Sequence, residues 1–563
     1  MSRASNDELL GSRETKQALL ALGGLVALVW LAPAVPALLY VGRWPALSPV
    51  QAIIGTVRVF SGGHLGDPAS AYPAVARSAM PAAAGWWVSW AWLVAFLATA
   101  AAAAWTSADR MRARAKLGRR AYDPRGSRPR DWARPRDLDA LVVSGRRRDR
   151  FTIGRLDRRL LASDDESHPA VIAPTRAGKS TRCVIPWLLE HDGPAIVTST
   201  KTDVLEATRA RRTELGEVWV WDPFGERSAG WTPLAGCEAW SYALRQGRWL
   251  ADAAADHDSG AARFWQAEGA KLLAPLLHAA ELAHRPMADV VRWVDTQDAE
   301  EPDGILRRAG SHAARDQLAG VTGLDPRNKG TTYMSAGSLL AAYRYPEVQA
   351  SDRPDLTPAR LLDGGAHTLY IVSASRYQEL LAPLVVAMLS QVFHEAAVRA
   401  GAGRPLSPTL RVLVDEAANI APLRDLPRHL SEAAGYGVRI ATIWQSVAQI
   451  RERYGRDAAN TILASSTAKL FMGPVTDDAT RDYLGDLLGD QPVAQRSTTT
   501  ANGGESTTES VTYRPKANAA ALQQLDRAVY VQGTLPPAVV RLTPYWEERE
   551  LAAWADVQSG QAA

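Results

Sequence analysis

The chain has 563 residues, with 64 Lys and Arg against 60 Asp and Glu, and its formal net charge is +4. This length predicts about two to four structural units, and so small a net charge says little about the partners. With Cys183 and Cys237 as its only cysteines, the chain excludes a disulfide framework and a cysteine-rich metal site, and a reducing, cytoplasmic main body is the simpler interpretation.

Two uncharged runs near the N-terminus, residues 18–42 and 78–108, predict membrane-spanning helices. Tryptophans stand near both ends of the second run, where aromatic rings favour the membrane interface. The alternative is a signal peptide followed by a buried core helix. It is disfavoured because the first run is too long for a signal peptide, contains Pro33 and Pro36, and lacks a convincing cleavage site.

The orientation of this hairpin follows from the basic segment after it. Residues 110–150 hold fifteen Lys and Arg against five Asp, and such segments resist translocation. The N-terminal tail, residues 1–17, and the basic juxtamembrane linker, residues 109–150, are therefore predicted to be cytoplasmic, with a short external loop at residues 43–77. The basic linker can also bind nucleic acid, although membrane topology and contact with anionic headgroups are its default role.

A near match to a phosphate-binding loop follows a short apolar run, Pro169 to Ala173. The loop ends in Gly-Lys-Ser like the pattern G-x-x-x-x-G-K-[ST], although Ala173 replaces the first glycine, which is tolerable if it keeps a negative φ. Backbone N–H groups of such a loop attract phosphate oxygens, while Lys179 supplies charge to the outer phosphates and Ser180 a hydroxyl to Mg²⁺. The residues predicted to bind ATP are Thr175, Arg176, Ala177, Gly178, Lys179, Ser180 and Thr181.

Apolar runs downstream of the loop predict an α/β domain. Short strands alternate with helical stretches, which predicts a mainly parallel sheet covered by helices on both faces. Besides 169–173, the predicted strands are 195–198, 218–221, 368–372, 410–414, 438–444, 469–472 and 528–531. Between residues 236 and 345 the apolar spacing becomes helical, which predicts an insertion. The predicted division is an α/β nucleotide-binding domain of residues 151–235 and 346–550, a helical insertion of residues 236–345 and a C-terminal tail of residues 551–563.

Two acidic residues, Asp415 and Glu416, follow the predicted strand 410–414. In phosphoryl transfer an Asp at a strand end holds Mg²⁺, and an adjacent carboxylate can orient the attacking water. The alternative is that a strand is simply followed by a solvated turn. This alternative accounts readily for one acidic residue at the strand end, but less well for two. The loop and the acids together predict an ATPase in which Lys179 and Glu416 are catalytic and Ser180 and Asp415 bind the metal.

The predicted strand 438–444 is followed by Gln445 and Ser446. The Gln445 amide can both donate and accept hydrogen bonds, which suits a catalytic residue that senses the γ-phosphate or positions water. The spacing is equally compatible with a residue that caps the next helix.

The segment 494–515 is rich in Ser, Thr and Gly and nearly free of large apolar side chains. This composition predicts a mobile loop or linker. Such a segment either contacts a translocating strand or is a surface excursion, and the second interpretation is the commoner one.

The order of these motifs resembles the type IV secretion coupling proteins, the TraG/TraD group of conjugative DNA-transfer ATPases. The likeness covers nearly all of residues 170–547, and the loop Ala-Pro-Thr-Arg-Ala-Gly-Lys-Ser at 173–180 is similar to the form common in the TraG branch. The other matching segments are Lys201-Thr202-Asp203, Asp222-Pro223, Trp231-Thr232-Pro233-Leu234, Phe264-Trp265, Val414-Asp415-Glu416-Ala417, Gln445-Ser446-Val447-Ala448-Gln449-Ile450, Pro536-Pro537 and Pro544-Tyr545-Trp546.

The resemblance implies a RecA-like P-loop NTPase with an inserted all-α domain and an N-terminal two-helix transmembrane hairpin, assembled as a homo-hexamer at the inner face of the cell membrane. Such a motor receives a relaxase bound to single-stranded DNA and uses ATP and Mg²⁺ to drive its cargo into a type IV secretion channel, whose inner-membrane proteins are further partners. The resemblance implies that Lys179 and Ser180 bind the nucleotide and Mg²⁺. It also implies that Asp415 completes the metal site, Glu416 orients water and Gln445 is the sensor.

The chain departs from the family pattern in two places. Ser199-Thr200 lacks the usual aspartate before Lys201, and Thr202 replaces a glycine, so no role is assigned to Lys201. Ala433-Ala434 occupy the positions where the family often has a basic residue that acts as an arginine finger; Arg439 or another arginine is the alternative, and no finger is assigned. The same motifs are compatible with a coupling ATPase dedicated to protein export, or with a nucleotide-binding membrane scaffold without turnover.

Overall fold

The structure is a computed structural model that describes Pro33 and residues 37–88, 90–91, 132–146, 149–226, 228–253, 260–501 and 504–555. The chain divides into two units, Met1–Arg119 and Arg120–Ala563. The boundary falls inside the predicted basic linker, residues 109–150. The uncharged N-terminal runs belong to the first unit, and the phosphate loop and the acidic residues Asp415 and Glu416 belong to the second.

The described part of the N-terminal unit forms short helices. Ser48 caps the longest of them, because its hydroxyl accepts a hydrogen bond from the N–H of Gln51 while the Gln51 side chain accepts one from the N–H of Ser48. The helices are Ala37–Val41 (π), Pro49–Ser61 (α), Pro68–Ala71 (3₁₀) and Ala74–Arg77 (α). The predicted loop at residues 43–77 is therefore largely helical, a feature that the sequence did not indicate.

Most of the two predicted spans, residues 18–42 and 78–108, lies outside the described residues. Among the residues that the structure does describe, one helix, Ser375–Gly401, is long and apolar enough to cross a membrane, and 78% of its most apolar window is buried. Its apolar residues belong to the same buried cluster as those of the sheet, and its Gln391 donates to Gln246 of the helical insertion at 2.9 Å, so it is a core helix of the α/β domain. The two N-terminal spans stay a prediction.

The second unit is built around strands, several of which are buried along their whole length. A small antiparallel sheet precedes the phosphate loop and has the strand order β1-β3-β2, and the main sheet has the order β14-β13-β10-β4-β9-β8-β5-β7-β6. The strands are β1 Val142–Val143, β2 Thr152–Leu156, β3 Arg159–Ala162, β4 Pro169–Ile172, β5 Ala195–Ser199, β6 Val218–Trp221, β7 Thr368–Val372, β8 Leu410–Val414, β9 Val438–Trp444, β10 Ala468–Phe471, β11 Asp490–Ala501, β12 Gly504–Pro515, β13 Ala528–Gln532 and β14 Ala538–Val540.

The main sheet is mainly parallel, as predicted. All neighbours from β10 to β6 pair in parallel, and β13 and β14 are added antiparallel at one edge. Strands β5, β7 and β8 are buried at every residue, which is typical of a parallel sheet covered on both faces. The order brings the phosphate-loop strand β4 and the acidic strand β8 to the two sides of β9, with their carboxyl ends at the same edge.

Helices cover this sheet, and between β6 and β7 the described residues form helices and turns without a strand. This region contains the predicted insertion, residues 236–345, although its helices continue to Leu361. Its apolar residues and those of the sheet share one buried cluster. The α-helices of the second unit are Ile185–Leu189, Asp203–Leu215, Trp240–Asp252, Gly260–Leu282, Met287–Asp295, Glu300–Arg308, His312–Thr322, Pro326–Leu339, Pro346–Ala350, Pro358–Leu361, Gln378–Gly401, Leu426–Glu432, Val447–Ser465, Asp478–Leu488, Ala519–Gln523 and Arg549–Trp554.

The prediction of a loop at residues 494–515 is wrong. Strands β11 and β12 form a two-stranded antiparallel ribbon whose register runs from Asp490 opposite Pro515 to Ala501 opposite Gly504. Threonines in both strands favour this conformation, because β-branched side chains suit a pleated strand. The polar composition, which the prediction took as a sign of a loop, reflects a ribbon that pairs only with itself among the described residues.

Candidate active site

The phosphate loop joins β4 to the helical segment that begins at Ser180. Ala173 keeps a negative φ, whereas Arg176 (φ 65°) and Gly178 (φ 80°) adopt the left-handed conformation. The freedom of a glycine is therefore not needed at the first position of the loop, which explains why alanine is tolerated there. Left-handed residues inside a turn point successive N–H groups to one side and so form a concavity that suits anions.

Lys179 is held at the base of this loop. Its side chain is only 9% exposed, and its Nζ donates to the backbone oxygen of Ala173 at 3.0 Å and to that of Pro174 at 3.4 Å. Carbonyl partners offset the cost of burying the ammonium group. Because an ammonium has three donors, Lys179 keeps donor capacity for a phosphate oxygen.

Ser180 and Asp415 meet at the carboxyl edge of the sheet. The Ser180 Oγ donates to the Asp415 Oδ2 at 3.2 Å. Burial raises the pKa of Asp415 to about 6; the neighbouring Glu416 adds to the increase, while the hydrogen bond from Ser180 and the charge of Lys179 oppose it. A hydroxyl and a carboxylate side by side form a donor set that suits Mg²⁺, whose remaining positions are usually filled by phosphate and water.

Thr198 is a supporting residue that the sequence reasoning missed. It lies near the carboxyl end of β5, and its Oγ1 donates to the backbone oxygen of Asp415 at 2.8 Å. Thr198 is fully buried, so this bond fixes the turn after β8 from the side opposite Ser180. The only signal in the sequence was a polar side chain at the end of an apolar strand.

The two acids diverge because of the backbone at Glu416. This residue has a φ of 54°, a conformation that is uncommon for a residue with a Cβ and that clusters at functional sites. Its N–H donates to the Asp415 Oδ1 at 3.1 Å, and its Oε2 accepts a hydrogen bond from the Gln445 Nε2 at 3.0 Å. Asp415 is thereby directed to Ser180 and Glu416 to Gln445.

The structure separates the two roles that the sequence left open for Gln445. The helix Val447–Ser465 is capped by Ser446, whose Oγ accepts a hydrogen bond from the N–H of Gln449 at 3.1 Å. The cap therefore belongs to Ser446, and the Gln445 amide lies against the second acid. An amide in this position can orient a carboxylate and, with its oxygen, accept a bond from water.

A cavity of about 570 Å³ opens beside the phosphate loop. Its lining includes four arginines, Arg176, Arg182, Arg527 and Arg541, and two acids, Asp526 and Glu547. Gly473 also lines it, and a Cβ there would lie 3.2 Å from the Cβ of Ala177. This volume is in the range of small-molecule sites, and the excess of arginines makes the cavity suitable for an anionic ligand.

The remaining candidates lie apart from this group or only support it. Thr175 is exposed, and the Thr181 Oγ1 donates to the backbone oxygen of Gly178 at 3.3 Å, which stiffens the loop. Lys201 is exposed beyond β5. Arg439 lies at the amino end of β9, away from the carboxyl ends that carry the site. Its guanidinium donates there to backbone oxygens, one of which is that of Asp165 at 2.6 Å. That engagement gives Arg439 a structural role within its own chain. Within the described ranges, no group of three or more His, Cys, Asp or Glu side chains is arranged to hold a metal.

Comparison with known proteins gives a family for the sequence. Residues 133–526 match the family described as "Type IV secretory system Conjugative DNA transfer". A conjugal transfer protein TraG of Escherichia coli is 27% identical over 371 residues, which cover 59% of this chain and 56% of the relative. A VirD4 protein of Agrobacterium fabrum is 24% identical over 349 residues, which cover 60% of this chain and 52% of the relative. The chain thus spans little more than half the length of these curated relatives.

Solved structures agree on the fold. The bacterial conjugative coupling protein TrwBdeltaN70 in its unbound monoclinic form has a TM-score of 0.59 at 18% identity, with 74% of this chain and 92% of that chain covered. TrwB in complex with ADP and Mg²⁺ has a TM-score of 0.55 at 20% identity, with 72% and 93% covered. At such low identity the likeness establishes the α/β fold with its mainly parallel sheet.

Proposed function

Because this chain belongs to the type IV secretory conjugative DNA-transfer family, we propose that it is a membrane-anchored, ATP-driven coupling motor. In this proposal it recruits a relaxase bound to single-stranded DNA and drives the complex into a type IV secretion channel. The observation that carries the proposal is the group of four residues, Ser180, Asp415, Glu416 and Gln445, beside the phosphate loop. Hydrogen bonds of 3.0–3.2 Å join them, and the one between the two acids comes from the backbone N–H of Glu416.

The donor set of this site fits ATP with Mg²⁺. The loop N–H groups and Lys179 would bind the phosphates, and Ser180 and Asp415 would hold the metal ion, which when bound neutralises developing charge on the phosphoryl oxygens. Solved TrwB structures of similar fold are complexes with ADPNP and with ADP and Mg²⁺, which supports the same ligands here. The cavity beside Arg176 and Arg182 is the volume that we assign to the nucleoside.

Hydrolysis is assigned to the second acid and its amide partner. Glu416 would accept the hydrogen bond of the attacking water and orient it, because its carboxylate is separated from the metal-binding Asp415 by the left-handed turn. Gln445 would hold Glu416 in this position and sense the γ-phosphate. In this assignment Lys179, Glu416 and Gln445 are the catalytic residues.

The assembly around the motor is proposed from the family and the sequence. We assign residues 18–108 to a two-span anchor in the cell membrane, residues 109–150 to a basic cytoplasmic linker, residues 151–235 and 346–550 to a RecA-like domain, and residues 236–345 to an all-α domain. The partners would be other copies of the chain in a homo-hexamer, the relaxase with its DNA, and inner-membrane proteins of the channel.

Plasmid transfer between bacteria tests this proposal. A strain that lacks the gene is complemented with the wild type, with Lys179→Ala or with Glu416→Gln, and transconjugants are counted together with the amount of protein in the membrane fraction. The motor predicts normal membrane levels of all three proteins and loss of transfer for both variants. Wild-type transfer by either variant would contradict the motor, and loss of effector secretion with normal DNA transfer would favour the alternative of a dedicated protein exporter.

A further inference from the structure

The helix Pro49–Ser61 carries apolar side chains that the described residues leave about half exposed. Val50, Ile54 and Val57 are 64%, 46% and 57% exposed, and Phe60 on the last turn is 54% exposed. Positions spaced by four and seven residues share one side of a helix, so the first three form a continuous stripe. A contiguous exposed apolar surface of this kind marks contact with an apolar partner or with a membrane.

This stripe is distinct from the face that holds the helix in its own unit. That second face is buried against Tyr72, whose hydroxyl lies 3.0 Å from the Thr56 Oγ1, and a Cβ at Gly55 would collide with the Tyr72 ring. The residues of the buried face are Ala52, Gly55, Thr56 and Val59. Because packing of the unit already uses this face, the exposed stripe is not needed to fold the helix.

Aromatic packing connects the helix to the start of the second uncharged run. The ring centroid of Phe60 lies 6.2 Å from that of Trp86, 5.8 Å from that of Trp87 and 5.6 Å from that of Trp90. These tryptophans belong to residues 78–108, the predicted second span, and tryptophan is enriched where a span meets water. The C-terminal end of the helix is thereby fixed at the level where the chain would enter the bilayer.

We propose that the helix Pro49–Ser61 lies flat at the external surface of the cell membrane, in the interface between lipid and water, with Val50, Ile54 and Val57 in contact with lipid acyl chains. This inference rests on the membrane anchoring in the proposed function. Lipid is the apolar phase that the position of the helix provides, because uncharged runs begin or end within 20 residues on both sides of it, at residues 42 and 78. Arg58 is exposed at the border of the stripe, one turn after Ile54 and about 100° around the helix from Val57, and its long side chain can reach water from there.

Spin labels on the full chain in lipid nanodiscs test this proposal. Cysteines are introduced singly by Ile54→Cys, Val57→Cys or Arg58→Cys, and by Glu452→Cys in the main body as a water-exposed reference. Both native cysteines, Cys183 and Cys237, are buried and should stay unlabelled. Val57 and Arg58 are a matched pair, since they are adjacent and both exposed. Collision rates of each label are measured with oxygen, which concentrates in lipid, and with a nickel chelate, which stays in water.

The proposal predicts a ratio of oxygen to nickel collisions that is severalfold higher at positions 54 and 57 than at positions 58 and 452. Equal ratios at 57 and 58, with the protein still in the membrane after carbonate extraction, would overturn the lipid contact and leave the anchor intact. Labels at 54 and 57 that are immobile and inaccessible to both reagents would also overturn it, in favour of a protein partner such as a second copy. Release by carbonate would overturn the anchor and this inference together, whereas ATP hydrolysis by the same samples tests the motor separately.

Discussion

Replacement of Asp415 by asparagine should stabilise the protein while removing a carboxylate that we propose binds Mg²⁺. Burial raises the pKa of this carboxyl from 3.8 to about 6. Since one pKa unit corresponds to about 1.4 kcal/mol, the ionised Asp415 costs the folded state about 3 kcal/mol. The native state binds the proton more tightly than the unfolded state. The cost is therefore absent below pH about 4, grows between pH about 4 and 6, and is complete at pH 7.5.

Urea unfolding of Asp415→Asn and wild type between pH 4.5 and 8 measures this effect without nucleotide or Mg²⁺. The free energy of unfolding of the variant should exceed that of the wild type by up to about 3 kcal/mol at pH 7.5, and the difference should shrink as the pH falls. The control is Glu452→Gln, which neutralises an exposed carboxylate and should change stability by less than about 0.5 kcal/mol. A variant that is less stable than wild type at pH 7.5, or a gap independent of pH, would refute the reasoning.

Three further changes test other parts of the structure. Lys179→Ala should weaken ATP binding by about 10- to 100-fold, because it removes a charged donor to phosphate; titration with a fluorescent ATP analogue measures this, and unchanged affinity would contradict the loop assignment. Gln445→Ala should leave ATP affinity unchanged and slow hydrolysis about 100-fold in a phosphate-release assay, since Glu416 loses its hydrogen bond; an unchanged rate would assign Gln445 a structural role. Arg411→Met should lower the free energy of unfolding by about 3 kcal/mol, because the backbone oxygens of Trp187 and Arg150 lose their donor and the buried Glu190 keeps only the guanidinium of Arg146, at 3.1 Å; the double variant with Glu190→Gln should regain only the part that comes from Glu190.

The main sheet could be predicted because its strands are buried on both faces. Such strands must be continuously apolar, and runs like Thr368–Val372 and Leu410–Val414 appear in the structure with the predicted bounds. The small sheet of β1–β3 and the edge strand β14 were missed. Strands β1 and β14 have only two and three residues, and Gly154, Arg155 and Arg159 interrupt the apolar runs of β2 and β3, so none of the four has the continuous apolar pattern of the main sheet.

The ribbon β11–β12 was missed for a different reason. Its high content of Ser, Thr and Gly was taken to predict a mobile loop. Residues 502 and 503 lie outside the described residues, but their sequence is Asn-Gly, the dipeptide most typical of a two-residue hairpin turn. The Thr-rich flanks on both sides completed this signal. Local turn chemistry was therefore the better guide than polarity at this place.

Which residues meet at the candidate site could be predicted, but their contacts could not. Residue types and strand ends pointed to Lys179, Asp415 and Glu416, since phosphate and metal binding restrict the choice of side chains, and their roles stay a proposal. The bond from Gln445 to Glu416 depends on the left-handed turn at 416 and on β9 lying between β4 and β8, and both are properties of the folded chain.

ATP hydrolysis in the presence of single-stranded DNA, measured for the wild type and for Glu416→Gln, tests the central claim most directly. The account predicts that the variant binds ATP with wild-type affinity, because the loop, Ser180 and Asp415 are unchanged. It also predicts hydrolysis at least about 100-fold slower, because the attacking water loses the carboxylate that orients it. Equal rates of hydrolysis in the two proteins would contradict the assignment of Glu416 and, with it, the proposed motor.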